Sequence, residues 1–102
     1  MLVSGGRDNM VKLWNALTGS LLHCFDGHAN WVRDVIIHPT GNYIISCSDD
    51  KTIRVFDVAN KRCLRVLEQL HKGFISSLAM HSKFPVLVSG SSDSSINVIG
   101  LR

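Results

Sequence analysis

Short apolar runs alternate with clusters of turn formers along the whole chain. YIISC (43–47), TIRVF (52–56), CLRVL (63–67) and VLVSG (86–90) are each about five residues long and rich in β-branched side chains, the composition of strands. Between the runs lie RDN, LTGS, HPTGN, DDK, VANKR and SSDSS, dense in Gly, Asn, Asp, Ser and Pro. No stretch of ten or more residues carries the 3.6-residue apolar period of a helix. VIIH (35–38) and LVSG (87–90) also lack the apolar–polar alternation of a half-solvated strand, so both faces of those strands are expected to be covered.

The pattern repeats. SGGRDNMVKLWN (4–15), SCSDDKTIRVFD (46–57) and SGSSDSSINVIG (89–100) each place an Asp four residues after a Ser and then run into a strand ending at Trp14, Phe56 or Ile99. Asp8, Asp50 and Asp93 are 42 and 43 residues apart. Leu22 aligns with Leu64, Phe25 with Leu67, and His28 with His71 after a one-residue insertion following Leu67; Trp31 falls on Phe74 and Val32 on Ile75. A period of 40–45 residues, with Gly-His near one end and an aromatic-Asp near the other, resembles the WD repeat. That resemblance implies an all-β fold, a partial β-propeller of about two and a half four-stranded antiparallel blades out of a ring of seven. With strands named a to d outward from the axis, 1–25 is expected to be a partial blade (b at 1–4, c at 10–15, d at 20–25). Residues 27–67 form a complete blade (31–37, 43–47, 52–57, 63–67), with a tight turn at 49–51. Residues 71–102 form a final blade lacking its outer strand (74–80, 86–90, 95–100). Phe56 and Ile99 depart from the Trp of the repeat, Leu70 from the Gly before the His, and Gly100 from the Asp after the aromatic. A chain with two incomplete blades is expected to need the rest of a propeller or to self-associate.

Composition narrows the partners. Hydrophobic residues make up 45% and charged residues 19%, the balance of a globular chain. A net charge of +3, spread without a basic run, gives no ground for nucleic-acid binding and favours an acidic protein surface. Cys24, Cys47 and Cys63 are odd in number and form no CxxC pair, which points to reduced thiols inside the cell. No apolar run approaches the length of a membrane span and no leader is visible, so no membrane insertion is expected.

Ser46, His28 and Asp50 are the residue types of a nucleophilic triad, and a serine hydrolase using His28 and Ser46 is the enzyme reading. Against it stands recurrence: Ser4, Asp8 and Trp14 repeat the pattern, as do His71, Ser89 and Asp93. A catalytic site does not recur once per structural repeat, whereas the WD repeat carries a His–Ser–Asp–Trp hydrogen-bond network in every blade. These nine residues are therefore expected to be structural, and the chain is expected not to be an enzyme. The histidines at 23, 28, 38, 71 and 81 have no metal-ligand spacing, and SGGRD lacks the spacing and the Lys-Ser/Thr of a phosphate loop, so neither metal nor cofactor is expected.

NWVRDVIIHPTGNYIISCSDDKTIRVFDVANKRCLRVLE (30–68) is similar to the C-terminal repeats of the lissencephaly-type dynein regulators, which also serve as the non-catalytic subunit of platelet-activating-factor acetylhydrolase. NWVR, SCSDDKT, NKRC and the close on strand c followed by LR carry the resemblance. In that family an N-terminal strand completes the last blade, so the C-terminus reads as natural and the N-terminus as cut, without the dimerising helix. The resemblance implies a protein-interaction scaffold in the cytoplasm and on the microtubule cytoskeleton, including the centrosome. Its expected partner is the dynein motor domain, with roles in transport, nuclear migration and the mitotic spindle. Acetylhydrolase docking and a ubiquitin-ligase substrate receptor are the alternatives among adaptors. It also places Arg7, Trp31 and Lys51 on one rim as the partner-binding patch, with Trp31 displayed rather than buried and Phe74 in the same slot one repeat on.

Overall fold

The computed structural model describes residues 2–38, 41–68, 71–80, 86–93 and 95–100. Leu70, His81 and the side chain of Ile99 lie outside the described residues. Ten strands follow one another: β1 (Leu2–Gly5), β2 (Val11–Trp14), β3 (Leu21–Phe25), β4 (Val32–Ile37), β5 (Tyr43–Ser48), β6 (Ile53–Asp57), β7 (Arg62–Leu67), β8 (Ile75–Met80), β9 (Val86–Ser91) and β10 (Ile96–Gly100). Within the described residues their ends fall within one residue of those the apolar runs and the WD-repeat resemblance lead one to expect. They build three antiparallel sheets in the orders β1-β2-β3, β4-β5-β6-β7 and β8-β9-β10, and no helix occurs among the described residues.

The sheets stack, and each contact between them is a hydrophobic core. Between the first and second sheets, Val11, Leu13 and Phe25 meet Val32, Ile44 and Phe56, with Val3, Val35 and Cys63 at the margin. Between the second and third, Ile45, Cys47 and Ile53 meet Ile75, Leu78 and Leu87. Residues alternate between the two cores along β5 because side chains alternate across a sheet. Every residue from Ile44 to Ser48 is buried, which is why that strand lacks an apolar–polar rhythm. Cys47 lies wholly within the second core, and burial pushes its thiol up to about 12.

The irregularities repeat as well. Pairing slips between Val32 and Asp34 in β4 and, at the equivalent place, between Ile75 and Ser77 in β8. It slips again between Leu13 and Trp14 and between Val55 and Phe56. The slip in β4 lets Asp34 reach the neighbouring sheet, where its Oδ2 accepts the Leu78 amide at 2.9 Å. The turn from β5 to β6 is tight as expected, with Lys51 in the left-handed region at φ 68° and its amide donating to Ser48 O at 3.2 Å.

Candidate protein-interaction site

The loops leading into β4 and β8 are held by the turn aspartates. Asp50 Oδ1 accepts the Thr52 amide at 2.9 Å, closing the turn, while Oδ2 accepts the Ala29 amide at 2.9 Å, tying down the loop before β4. Asp93 does the same with Ser95 at 2.9 Å and Lys72 at 2.7 Å. Asp8 keeps only the turn bond, from Met10 at 3.1 Å, and otherwise pairs with Lys12 at 3.0 Å. Burial lifts the Asp50 carboxyl, but the hydrogen bonds from Thr52, Ala29 and His28 together outweigh it and hold it at about 2.

His28 and His71 form the second tie. His28 Nε2 lies 2.6 Å from Ser46 Oγ and Nδ1 lies 2.9 Å from Asp50 Oδ2. His71 Nε2 lies 2.8 Å from Ser89 Oγ, but its Nδ1 is 2.7 Å from Ser95 Oγ and 3.7 Å from Asp93. In the first sheet Trp14 Nε1 donates to Ser4 Oγ at 2.9 Å, and Asp8 takes no part. The structure thus brings His28, Ser46 and Asp50 together, joins Ser4 to Trp14, and joins His71 to Ser89 through a shifted arrangement. Phe56 and Ile99 supply no donor. Burial holds the His28 imidazole below its usual value, opposed by the Asp50 carboxylate, so both ring nitrogens serve a neutral ring: one donates to Asp50, the other accepts from Ser46. Ser46 and Ser89 are fully buried.

These ties fix the rim above. The Trp31 carbonyl accepts the Asp49 amide at 2.9 Å, and the Phe74 carbonyl accepts the Ser92 amide at 2.9 Å, so the same turn holds each aromatic at its rim position. The Val32 amide donates to Gly6 O at 3.0 Å, bringing the first sheet's turn beside Trp31. The Arg7 guanidinium carbon lies 4.6 Å from the Trp31 ring centroid and that of Arg33 lies 5.0 Å from it. Arg33 is in turn forked onto Asp49, Nε to Oδ1 at 2.6 Å and Nη2 to Oδ2 at 2.7 Å. Trp31 is 37% exposed and Phe74 48%, so part of each ring faces solvent while the Trp31 ring is braced by cations. Lys51 is exposed at the turn, and its side chain makes no bond to this cluster among the described residues. Nothing in the repeat pattern singles out Arg33 or Asp49. Charge complementarity next to the Val32–Ser48 strand pair is the signal that would have found them.

The arrangement can present an aromatic ring and guanidinium N–H groups to an acidic surface. Among the described residues no group of His, Cys, Asp and Glu is placed to hold a metal ion.

Three stacked antiparallel sheets, with the same turn and the same His-to-Ser tie in successive copies, define a sector of a repeat-built β-propeller. The chain belongs to the WD domain, G-beta repeat family, which matches residues 1–15, 19–57 and 61–99. It is 42% identical over 78 residues to the nuclear distribution protein nudF 2 of Aspergillus clavatus, covering 76% of this chain and 18% of that one. It is 41% identical over 78 residues to the nuclear distribution protein PAC1 of Gibberella zeae, covering 76% and 17%. It is 43% identical over 75 residues to the Lissencephaly-1 homolog 1 of Paramecium tetraurelia, covering 74% and 19%. The chain therefore spans less than a fifth of the length of these relatives.

Proposed function

We propose that this chain is a non-catalytic scaffold whose rim, carrying Arg7, Trp31, Lys51 and Phe74, docks on the motor domain of cytoplasmic dynein. Its role is in microtubule-based transport, nuclear migration and spindle function, in the cytoplasm and on the microtubule cytoskeleton. The observation that carries this reading is the Trp31 ring braced by Arg7 and Arg33 at 4.6 and 5.0 Å. A large ring with little freedom left, bordered by guanidinium groups, is the kind of surface that dominates protein interfaces. Relatives named for nuclear distribution support the cellular role. The hydrolase reading is disfavoured by access: Ser46 Oγ has a histidine partner, but the residue is fully buried, and a similar tie recurs at His71 and Ser89.

The test measures motor-domain affinity with the rim placed in a closed propeller of this family. Trp31→Ala is expected to weaken binding by about 2 kcal/mol, roughly thirtyfold. Arg7→Ala and Lys51→Ala each cost less and flatten the salt dependence of binding. Unchanged affinity in the triple variant sinks the reading, as does a loss matched by a fall in melting temperature. Labelling of Ser46 by a serine-directed phosphonate would restore the hydrolase.

A further inference from the structure

The three sheets carry equivalent residues on equivalent faces, yet those residues differ sharply in exposure. On the face each sheet turns towards the next, Val11 and Ile53 are both 0% exposed, while their counterpart Ile96 in the third sheet is 73% exposed. Leu13, two residues further along the strand and on the same face, is 5% exposed, and its counterpart Val98 is 71% exposed. On the opposite face, Ile44 and Leu87 are 0% exposed, while their counterpart Leu2 in the first sheet is 59% exposed. The two ends of the stack are thus the two halves of one contact that the chain makes twice within itself. The third sheet offers the half with Ile96 and Val98. The first offers the half with Leu2, Trp14 and Leu21, the last paired with Trp14 as Cys63 is with Phe56.

We propose that copies of this chain associate head to tail, the outer face of the β8–β10 sheet of one copy packing on the outer face of the β1–β3 sheet of the next. The polar groups on the latter face do not bar it. Trp14 and Ser4 satisfy each other at 2.9 Å. Lys12 stands where the second sheet has Arg54, which the internal sheet contact tolerates even with its Nε buried and unpartnered: its Nη1 lies 3.9 Å from Cys63 Sγ and its guanidinium lies against Gly27. The contact joins two different surfaces, so it does not end at a dimer; it propagates until a ring closes or continues as an open array. Burial of exposed apolar faces drives it.

The test uses the whole chain in sedimentation velocity with circular dichroism, comparing the parent with Val98→Asp and Leu2→Asp. Each substitution blocks one half and leaves the two internal cores untouched. The parent is expected to grow beyond a dimer as concentration rises. Each variant alone is expected to lose association at least tenfold. An equimolar mixture is expected to form a 1:1 complex that stops there, because the blocked halves face outward. A variant that loses sheet structure alone must regain it in the mixture, and Ile96→Asp with Leu21→Asp forms a second pair held to the same outcomes. A parent that is monomeric with intact sheets, as when only other segments of a longer protein cover these faces, overturns the proposal. So does a parent without sheet structure, association that neither substitution interrupts, or a mixture that fails to assemble.

Discussion

Phe56 stands where the preceding repeat has Trp14, and the exchange can be weighed in both directions. Phe56→Trp would give Ser46 an indole donor, worth about 0.5–1.5 kcal/mol. The ring is 1% exposed, however, and packs 5.0 Å from Phe25, so a larger ring must push into a filled core at about 1–3 kcal/mol. Packing wins: urea unfolding should show Phe56→Trp less stable by about 1 kcal/mol, although it restores the residue usual in the repeat. His28→Ala leaves Ser46 and Asp50 without a shared partner and should cost about 1–3 kcal/mol in the same measurement. Acid sensitivity follows from the same pair. The folded chain keeps His28 neutral below its ordinary value of 6.5, so the unfolded chain binds the extra proton and stability falls as pH drops below that value. Asp50, held at about 2 against 3.8, adds stability that is complete above 3.8 and is lost as pH falls towards 2. Unfolding free energies at about pH 7.5 and about pH 5 should therefore differ less in His28→Ala than in the parent.

Turns and edges set a second group of consequences. Gly5 lies at the edge of the first sheet, yet a Cβ there would clash with Val32 Cγ1 and come 2.8 Å from Val35 Cγ2. Gly5→Ala must push β1 off β4, and thermal unfolding should register a loss of about 1–3 kcal/mol. Lys51 sits at φ 68°, a conformation that costs a side-chain-bearing residue about 1–2 kcal/mol, more than the 0.5–1 kcal/mol by which glycine loosens the unfolded chain. Lys51→Gly should therefore raise stability slightly while lowering motor-domain affinity; a variant in which both move the same way would remove Lys51 from the proposed patch. At this scale the sequence was most readable. Strand positions repeat every 42 or 43 residues because each copy must bury the same face, so the spacing together with the resemblance to the WD blade placed β1 to β10. The Arg33–Asp49 fork does not repeat: its counterparts are Ser76 and Ser92, and a reading built on recurrence passes over it. The shift of the His71 tie onto Ser95 was equally hidden, since the Ser–Asp spacing is the same in all three copies and the exchange of Thr52 for Ser95 keeps a hydroxyl at that place.

The whole molecule is held by two cores and, among the described residues, by polar bonds that cross between sheets: the Val32 amide donates to Gly6 O and the Leu78 amide to Asp34 Oδ2. Asp34 Oδ2 accepts the Leu78 amide, and pattern reading could not anticipate this because it depends on the slip in β4 that turns the carboxylate out of its own sheet. Asp34→Ala should orphan that amide, and its hydrogen exchange should accelerate while the Ile53 amide, inside the second sheet, changes less. A loss of equal size at both amides would mean that the two sheets open as one unit. Cys47 makes such openings visible in another way. It is sealed between the second and third sheets with its thiol held as the unreactive acid, whereas Cys24 and Cys63 are partly exposed. A maleimide added to the native chain would find two thiols promptly and the third only in molecules whose sheets have momentarily parted. The slow phase would then be a clock set by the parting of those sheets, readable by mass without any engineered probe.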